Sequence, residues 1–210
     1  MYQKLLGIVR LVAHAFVPGN WYKLKNVVEK LLDRPNVPKG KVFVMFVGFS
    51  KSGKTTYLSN SKELKGFFKV SSSAIHDLIN VTFSFLKDDN TTKGRAYWER
   101  QYLTRIIREL VLKKAFAKGL SVVSDSANLR RSERGKRLAL AKKFGYTTKI
   151  VHVSCSEQVL LKRLQMLDAE LVGAGKKPTW VALYKDVQKP RFEGIISSEA
   201  DYCETINIDS

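Results

Sequence analysis

Residues 48 to 55 read Gly48-Phe49-Ser50-Lys51-Ser52-Gly53-Lys54-Thr55, which places two glycines, a lysine and a hydroxyl at the spacing G-x-x-x-x-G-K-[ST]. Glycines allow backbone angles that let successive amides converge on phosphate oxygens, at the positive end of the helix that follows. On this spacing Lys54 would neutralise the β- and γ-phosphates of ATP, with GTP as the alternative nucleotide. Thr55 would ligate Mg²⁺, and Thr56 would assist from the next turn. The expected nucleotide-binding set is therefore Gly48, Ser50, Lys51, Ser52, Gly53, Lys54, Thr55 and Thr56.

A second group lies at Val122-Val123-Ser124-Asp125-Ser126-Ala127-Asn128-Leu129, where an apolar strand delivers an acidic and an amide side chain to one sheet edge. Such an aspartate can hold a water of the Mg²⁺ shell, so Asp125 joins Thr55 as a metal-site residue. On a competing reading Asp125 caps the turn and Asn128 takes a left-handed loop position.

These residues need strands to carry them. Val42-Phe43-Val44-Met45-Phe46-Val47 is a continuous β-branched and aromatic run, expected of a strand covered on both faces in a parallel sheet, and it ends where the glycine loop starts. Further strands are expected at Phe67–Ser71, Leu120–Ser124, Lys149–Val153 and Thr205–Ile208. Helices are expected over Trp21–Leu32, Thr55–Leu64, Ala74–Asn80 and Ser132–Phe144. From Lys93 to Lys118, Trp98, Tyr102, Ile106 and Leu110, with Leu103, Ile107 and Val111 beside them, mark a long amphipathic helix. The alternation predicts an α/β fold: a doubly wound, mostly parallel five-stranded sheet with helices on both faces, preceded by an N-terminal helical segment, with ligands at the carboxyl ends of the strands. Arg34–Gly40, rich in Pro and Gly, reads as a linker between an extension over 1–40 and a domain over 41–210.

Of the 210 residues, 37 are Lys or Arg and 19 are Asp or Glu, a formal charge of +18. This implies an anionic partner, nucleic acid first and a membrane surface second. Much of the charge lies between Leu129 and Lys149, whereas Glu193 to Asp209 is net acidic. Cys155 and Cys203 have neither metal-ligand nor CxxC spacing, so reduced thiols are expected. Residues 1–17 faintly resemble a secretory leader, but Arg10 and His14 interrupt the apolar run. The stretch is shorter than the roughly 20 residues of a membrane span, and an amphipathic helix packed on the domain or lying on a membrane surface fits it better. An ATP-using protein is expected in the cytoplasm.

The order of glycine loop, a second strand ending in Ser71-Ser72-Ser73, long helix, Val123–Leu129 segment, Arg134, Gly145-Tyr146 and Ser156–Arg163 resembles the P-loop kinases of the polynucleotide kinase group. The resemblance covers roughly residues 41 to 208. It implies an ATP-dependent, Mg²⁺-dependent phosphotransferase acting on a polynucleotide or nucleotide-like acceptor. Carried over, the ATP site falls on Lys54 and Thr55, substrate and metal support on Asp125 with Asn128, the grip on the acceptor phosphate on Arg134, and stabilisation of transferred charge on Arg163 in a lid around 163–180.

Two positions depart from the pattern. The family ends its second strand in an aspartate that takes the proton of the attacking hydroxyl, and the matching residue here is Ser73, leaving Asp77 or Asp125 as the base. After Arg163 the chain runs Leu164-Gln165-Met166-Leu167 where a second arginine is usual, and Lys176 or Lys177 is the substitute at hand. His76 is placed to contact phosphate or to pack, with packing the simpler role. The rival readings are a small-molecule kinase, a nucleotide-binding module or NTPase without transfer activity, and a membrane-associated ATPase.

Overall fold

The computed structural model of the chain describes residues 18–33, 40–83 and 95–209, so the expected amphipathic segment 1–17 and all of the linker but Gly40 lie outside the described residues. Within them the elements run α1 (Pro18–Leu32), β1 (Val42–Val47), α2 (Lys54–Asn60), β2 (Phe68–Ser71), α3 (Ser72–Thr82), α4 (Arg95–Ala117), β3 (Val122–Asp125), α5 (Arg131–Lys143), β4 (Thr147–Ser154), α6 (Glu157–Gly173) and β5 (Tyr202–Asn207). Between α6 and β5 the chain makes a short helical turn (Trp180–Ala182), a π-helical turn (Leu183–Gln188) and two 3₁₀ turns (Lys189–Arg191, Ser197–Glu199).

The chain falls into two compact units. Among the described residues, one comprises 18–33, 71–83 and 95–115, and the other comprises 40–70 and 116–209. The division differs from a boundary at residue 40, because 71–115 groups with the N-terminal helix. In the first unit α1 packs on α3, Glu29 pairs with Lys114, and Arg108 Nη1 donates to Ser72 Oγ at 3.3 Å. The row of α4 that is buried runs through Leu103, Ile107 and Val111. Tyr102, Ile106 and Leu110 are only partly covered.

The second unit holds the sheet that positions the glycine loop. It is five-stranded and parallel, in the order β2-β3-β1-β4-β5. Val44 lies opposite Val123 on β3 and Lys149 on β4, so β1 is central. A strand inside a parallel sheet meets helices on both faces, and Phe43 to Val47 are buried accordingly. Successive side chains leave opposite faces. Val44 and Phe46 pack with Val123, Val151, Val153 and Leu64, with Tyr57 and Leu58 of α2 against them. Phe43 meets Phe116 edge-on at 5.1 Å on the other side, and Tyr146 Oη ties that cluster down by donating to the Leu120 carbonyl at 2.8 Å.

The expected strands and most helices form close to their predicted spans. The helix after the glycine loop is shorter, ending at Asn60, and β4 is longer, because Thr148 is anchored by Asp201, which accepts from its backbone N–H and its hydroxyl at 2.8 Å each. Helix α6 occupies much of the stretch read as a lid, with Ser156 Oγ accepting from the Val159 N–H as its N-cap. Among the described residues no helix is long and apolar enough to cross a membrane.

Candidate phosphate-binding site

The glycine loop leaves β1 at a point where only glycine fits. Gly48 has φ 148°, and a Cβ there would stand 2.3 Å from the Val153 carbonyl oxygen of β4. Its N–H donates to the Ala127 carbonyl beyond β3 at 3.1 Å, so the loop's entry is tied to the neighbouring strands. Lys51 (φ 66°) and Gly53 (φ 103°) then take left-handed conformations. Left-handed turns of this kind are what anion nests are built from, and here the Ser50 N–H is held by Gln188 at 2.9 Å and the Ser52 N–H by the Phe49 carbonyl at 3.2 Å. Gly53 opens α2 as its N-cap residue, adding the positive end of a helix.

Lys54 is the first residue of α2 and is buried, with 8% exposure. Its ammonium donates to the carbonyls of Gly48 at 2.9 Å and of Phe49, so it is folded over the loop. Burial lowers its pKa to about 8, against the opposing pull of Asp125 and Cys155. An anionic ligand would remove that destabilisation. Thr55 Oγ1 donates to Asp125 Oδ2 at 3.3 Å, so two oxygen ligands from α2 and the end of β3 stand side by side. Lys69 of β2 pairs with the same oxygen at 2.9 Å. Ser52 Oγ is buried without a hydrogen-bond partner at the loop's inner wall. Thr56 is exposed one position further on.

The arrangement thus brings Lys54, Thr55 and Asp125 together. Arg163, half-buried on α6, also reaches the loop, its Nη1 standing 3.4 Å from the Lys51 carbonyl. Asp77 lies exposed on α3, in the other compact unit. Ser73 is there too, its hydroxyl 2.8 Å from that of Ser71.

Two expectations are corrected. Arg134 does not present its guanidinium to a ligand. It is fully buried, and its Nε and Nη2 grip the two Glu199 carboxylate oxygens at 2.6 and 2.8 Å. Nη1 donates to the carbonyls of Leu129 at 2.8 Å and Asn128 at 3.2 Å, and Nη2 also donates to Gly194 at 3.1 Å. A guanidinium has five N–H donors, and all are committed. Asn128 likewise turns inward: its φ is 48°, its side-chain amide donates to the Phe46 carbonyl at 2.7 Å, and its Oδ1 accepts from buried Arg137 at 2.9 Å. Of the two readings of this residue, the left-handed loop position holds.

Nothing in the order of residues marks the segment from 179 to 193, which flanks the loop. Gln188 bonds to Ser50, the Lys51 ammonium lies over the Trp180 ring, and Phe49 contacts both Tyr184 and Phe192. Its residues are unremarkable types, and no spacing rule links Gln188 to a partner 138 residues away. His152 stacks on Phe192 at 5.5 Å, and burial, then Arg134 and Lys54, lower its pKa. Cys155 and Cys203 are both free thiols. Among the described residues no cluster of His, Cys, Asp or Glu is dense enough to cage a metal by itself. A cation at Thr55 and Asp125 would draw its other ligands from phosphates and water, as Mg²⁺ commonly does.

Comparison with known proteins agrees with this geometry. A model of an AAA domain family matches residues 43–168, which contain the glycine loop, Asp125 and β1 to β4. A structure from the PezAT chromosomal toxin–antitoxin system of Streptococcus pneumoniae superposes with a TM-score of 0.58 at 15% identity, over 72% of this chain and 64% of that one. This chain thus spans less than two thirds of its length. A candidate kinase from Chloroflexus aurantiacus superposes with a TM-score of 0.56 at 14% identity, over 83% of this chain and 87% of that one. No curated protein matches the sequence. At such identities the superpositions speak for the fold, which is that of the P-loop nucleotide-binding proteins with the kinase-type strand order.

Proposed function

The chain belongs to this AAA domain family, and from that premise we propose that it is an ATP-dependent phosphotransferase which phosphorylates a hydroxyl of a polynucleotide or nucleotide-like acceptor. The observation that carries the reading is the meeting of Lys54, Thr55 and Asp125 at one nest of backbone amides. Phosphoryl transfer asks a protein mainly for positioning and for positive charge around the moving group. The loop N–H groups and the Lys54 ammonium hold the phosphates, and Arg163 beside Lys51 adds charge from the side of α6. The oxygen pair Thr55 and Asp125 suits Mg²⁺, which when bound would neutralise charge on the phosphate oxygens. In the reaction the acceptor oxygen bonds to the γ-phosphorus, the bond from that phosphorus to the β,γ-bridging oxygen breaks, and the acceptor's proton passes to a carboxylate. Asp125, buried at the end of β3, and Asp77 on α3 are the two candidates for that base.

The polynucleotide acceptor rests on the resemblance and on charge. The formal charge is +18, and Arg130, Lys136 and Lys143 stand exposed on or beside α5. Such a reaction belongs in the cytoplasm, where ATP is supplied. Incubation with ATP labelled at the γ-phosphate tests the reading, using DNA and RNA oligonucleotides with free terminal hydroxyls beside a panel of sugars and nucleosides. Acceptor-dependent labelling that Lys54→Ala abolishes is the expected result. Labelling confined to the small molecules would move the acceptor class, and no labelling of any acceptor would sink the transferase.

Ser73 favours a second reading. By the resemblance, Ser73 matches the family's carboxylate in sequence; its hydroxyl lies 2.8 Å from that of Ser71, and a serine does not act as a base near neutral pH. A nucleotide-binding module without transfer would bind Mg²⁺-ATP yet label nothing.

A further inference from the structure

Three successive residues of the loop, Phe49, Ser50 and Lys51, each find a partner in the segment between Trp180 and Phe192. Tyr184 and Phe192 contact the Phe49 ring at centroid distances of 5.1 and 5.2 Å. The Lys51 ammonium sits 4.8 Å from the centre of the Trp180 ring. Gln188, at the end of the π-helical turn and only 8% exposed, accepts the Ser50 N–H at 2.9 Å and donates to Ser50 Oγ at 2.7 Å. An amide group that directs both its ends to one residue fixes that residue's backbone and its rotamer together.

The segment is itself fastened. Asp168 of α6 accepts the N–H groups of Thr179 at 2.7 Å, Trp180 at 2.8 Å and Val181 at 3.0 Å, so the chain enters the segment at a fixed angle. Leu160 and Leu164 of α6 pack with Tyr184, with Phe49 against them. The clamp on the loop is therefore continuous with a helix core. Lys51, the residue after Ser50, holds φ at 66°, a conformation that a non-glycine residue adopts at a cost and keeps only when its surroundings impose it.

A flexible loop must be ordered when phosphate arrives, which weakens binding, whereas a loop held in the binding shape avoids that loss. Resting on the ATP-binding reading above, we propose that Gln188 is a positioning residue: it fixes Ser50, so that the loop already holds its phosphate-binding shape when nucleotide enters. Gln188 touches no reacting atom and acts through Ser50.

The test uses the full chain as wild type, Gln188→Ala and Gln188→Glu. Hydrogen exchange of peptides covering 46–56 is read without nucleotide, with β4 as the internal control, and Mg²⁺-ATP and Mg²⁺-ADP affinities are read by calorimetry. In Gln188→Ala, exchange of the loop quickens and ATP affinity falls, each about tenfold, while β4 exchanges as in wild type. In Gln188→Glu the carboxylate still accepts from both the Ser50 N–H and its hydroxyl, so loop protection stays. Its negative charge beside the nest weakens ATP more than ADP, and added salt reduces the difference. Unchanged loop exchange in Gln188→Ala would overturn the proposal, and so would equal loosening of β4. Wild type that binds no nucleotide would instead remove the phosphotransferase reading, and the exchange measurement would still decide whether Gln188 holds the loop.

Discussion

Arg134 offers the sharpest separation between a role in the fold and a role in catalysis. Its side chain is 0% exposed and that of Glu199 is 5% exposed, so removing Glu199 leaves the guanidinium charge buried without its carboxylate, and removing Arg134 leaves the carboxylate with only Arg131, at 3.5 Å. Losing one partner of a buried ion pair costs about 3–5 kcal/mol. For a chain of this size each kcal/mol lowers the melting temperature by roughly 2–4 °C, so Arg134→Ala should melt about 6–20 °C below wild type. Arg134→Lys keeps the charge but has three donors for five acceptor contacts, and it should fall between the two. Glu199→Gln carries a pH signature. Burial pushes the Glu199 carboxyl up, but Arg134, the Ile196 amide and Arg131 outweigh it and hold it below its ordinary range. A depressed carboxyl stabilises the fold above its ordinary pKa, and that stability is lost as pH falls through the folded value. Melting followed by circular dichroism from neutral to acid should therefore show a steeper acid limb in wild type than in Glu199→Gln. If Arg134→Ala melts with wild type yet loses acceptor phosphorylation, the structural assignment is wrong and the acceptor-phosphate role returns.

Other outcomes follow from the loop. Burial sets the Lys54 pKa at about 8 in the folded chain, below its ordinary 10.5, so between those values the unfolded chain binds more protons and stability without ligand rises with pH. ATP favours the ammonium, so its affinity should decline above about pH 8, by up to tenfold per unit, when titrated by calorimetry. Gly48→Ala forces a Cβ to 2.3 Å from the Val153 carbonyl at a φ of 148°. It should cost about 3 kcal/mol or more, read as a lowered urea midpoint or as failure to fold. Lys69→Met removes the cation on Asp125 and should lower the Mg²⁺ concentration at which ATP binding is half-maximal.

What could be read from the chain alone was what is local. The run from Val42 to Val47 and the spacing from Gly48 to Thr55 carry their own geometry, because a strand's coverage and a nest's turns are written in consecutive residues. Asp125 was found because an apolar strand led to it. Arg134 was misread because an arginine on a polar helix looks the same whether it faces solvent or a glutamate 65 residues later. Gln188 was invisible for the same reason at greater range: its partner is 138 residues away, and no periodicity marks it. On α4 the sequence marks two adjoining apolar rows, and only packing selects the one through Leu103, Ile107 and Val111 for burial.

The central place of β1 has a consequence for the chain's birth. Val42–Val47 leaves the ribosome long before its neighbours, for its partners on β3 start at Val122 and those on β4 at Thr147. Until they are made, six consecutive apolar residues rich in β-branched and aromatic types have no strand to pair with. Sheets built from such distant pairings form slowly, and an unpaired apolar strand invites association with other chains. The strand that later carries the phosphate site is thus also open to association with other chains during synthesis, and yield on fast overexpression should respond to slower translation or added chaperone.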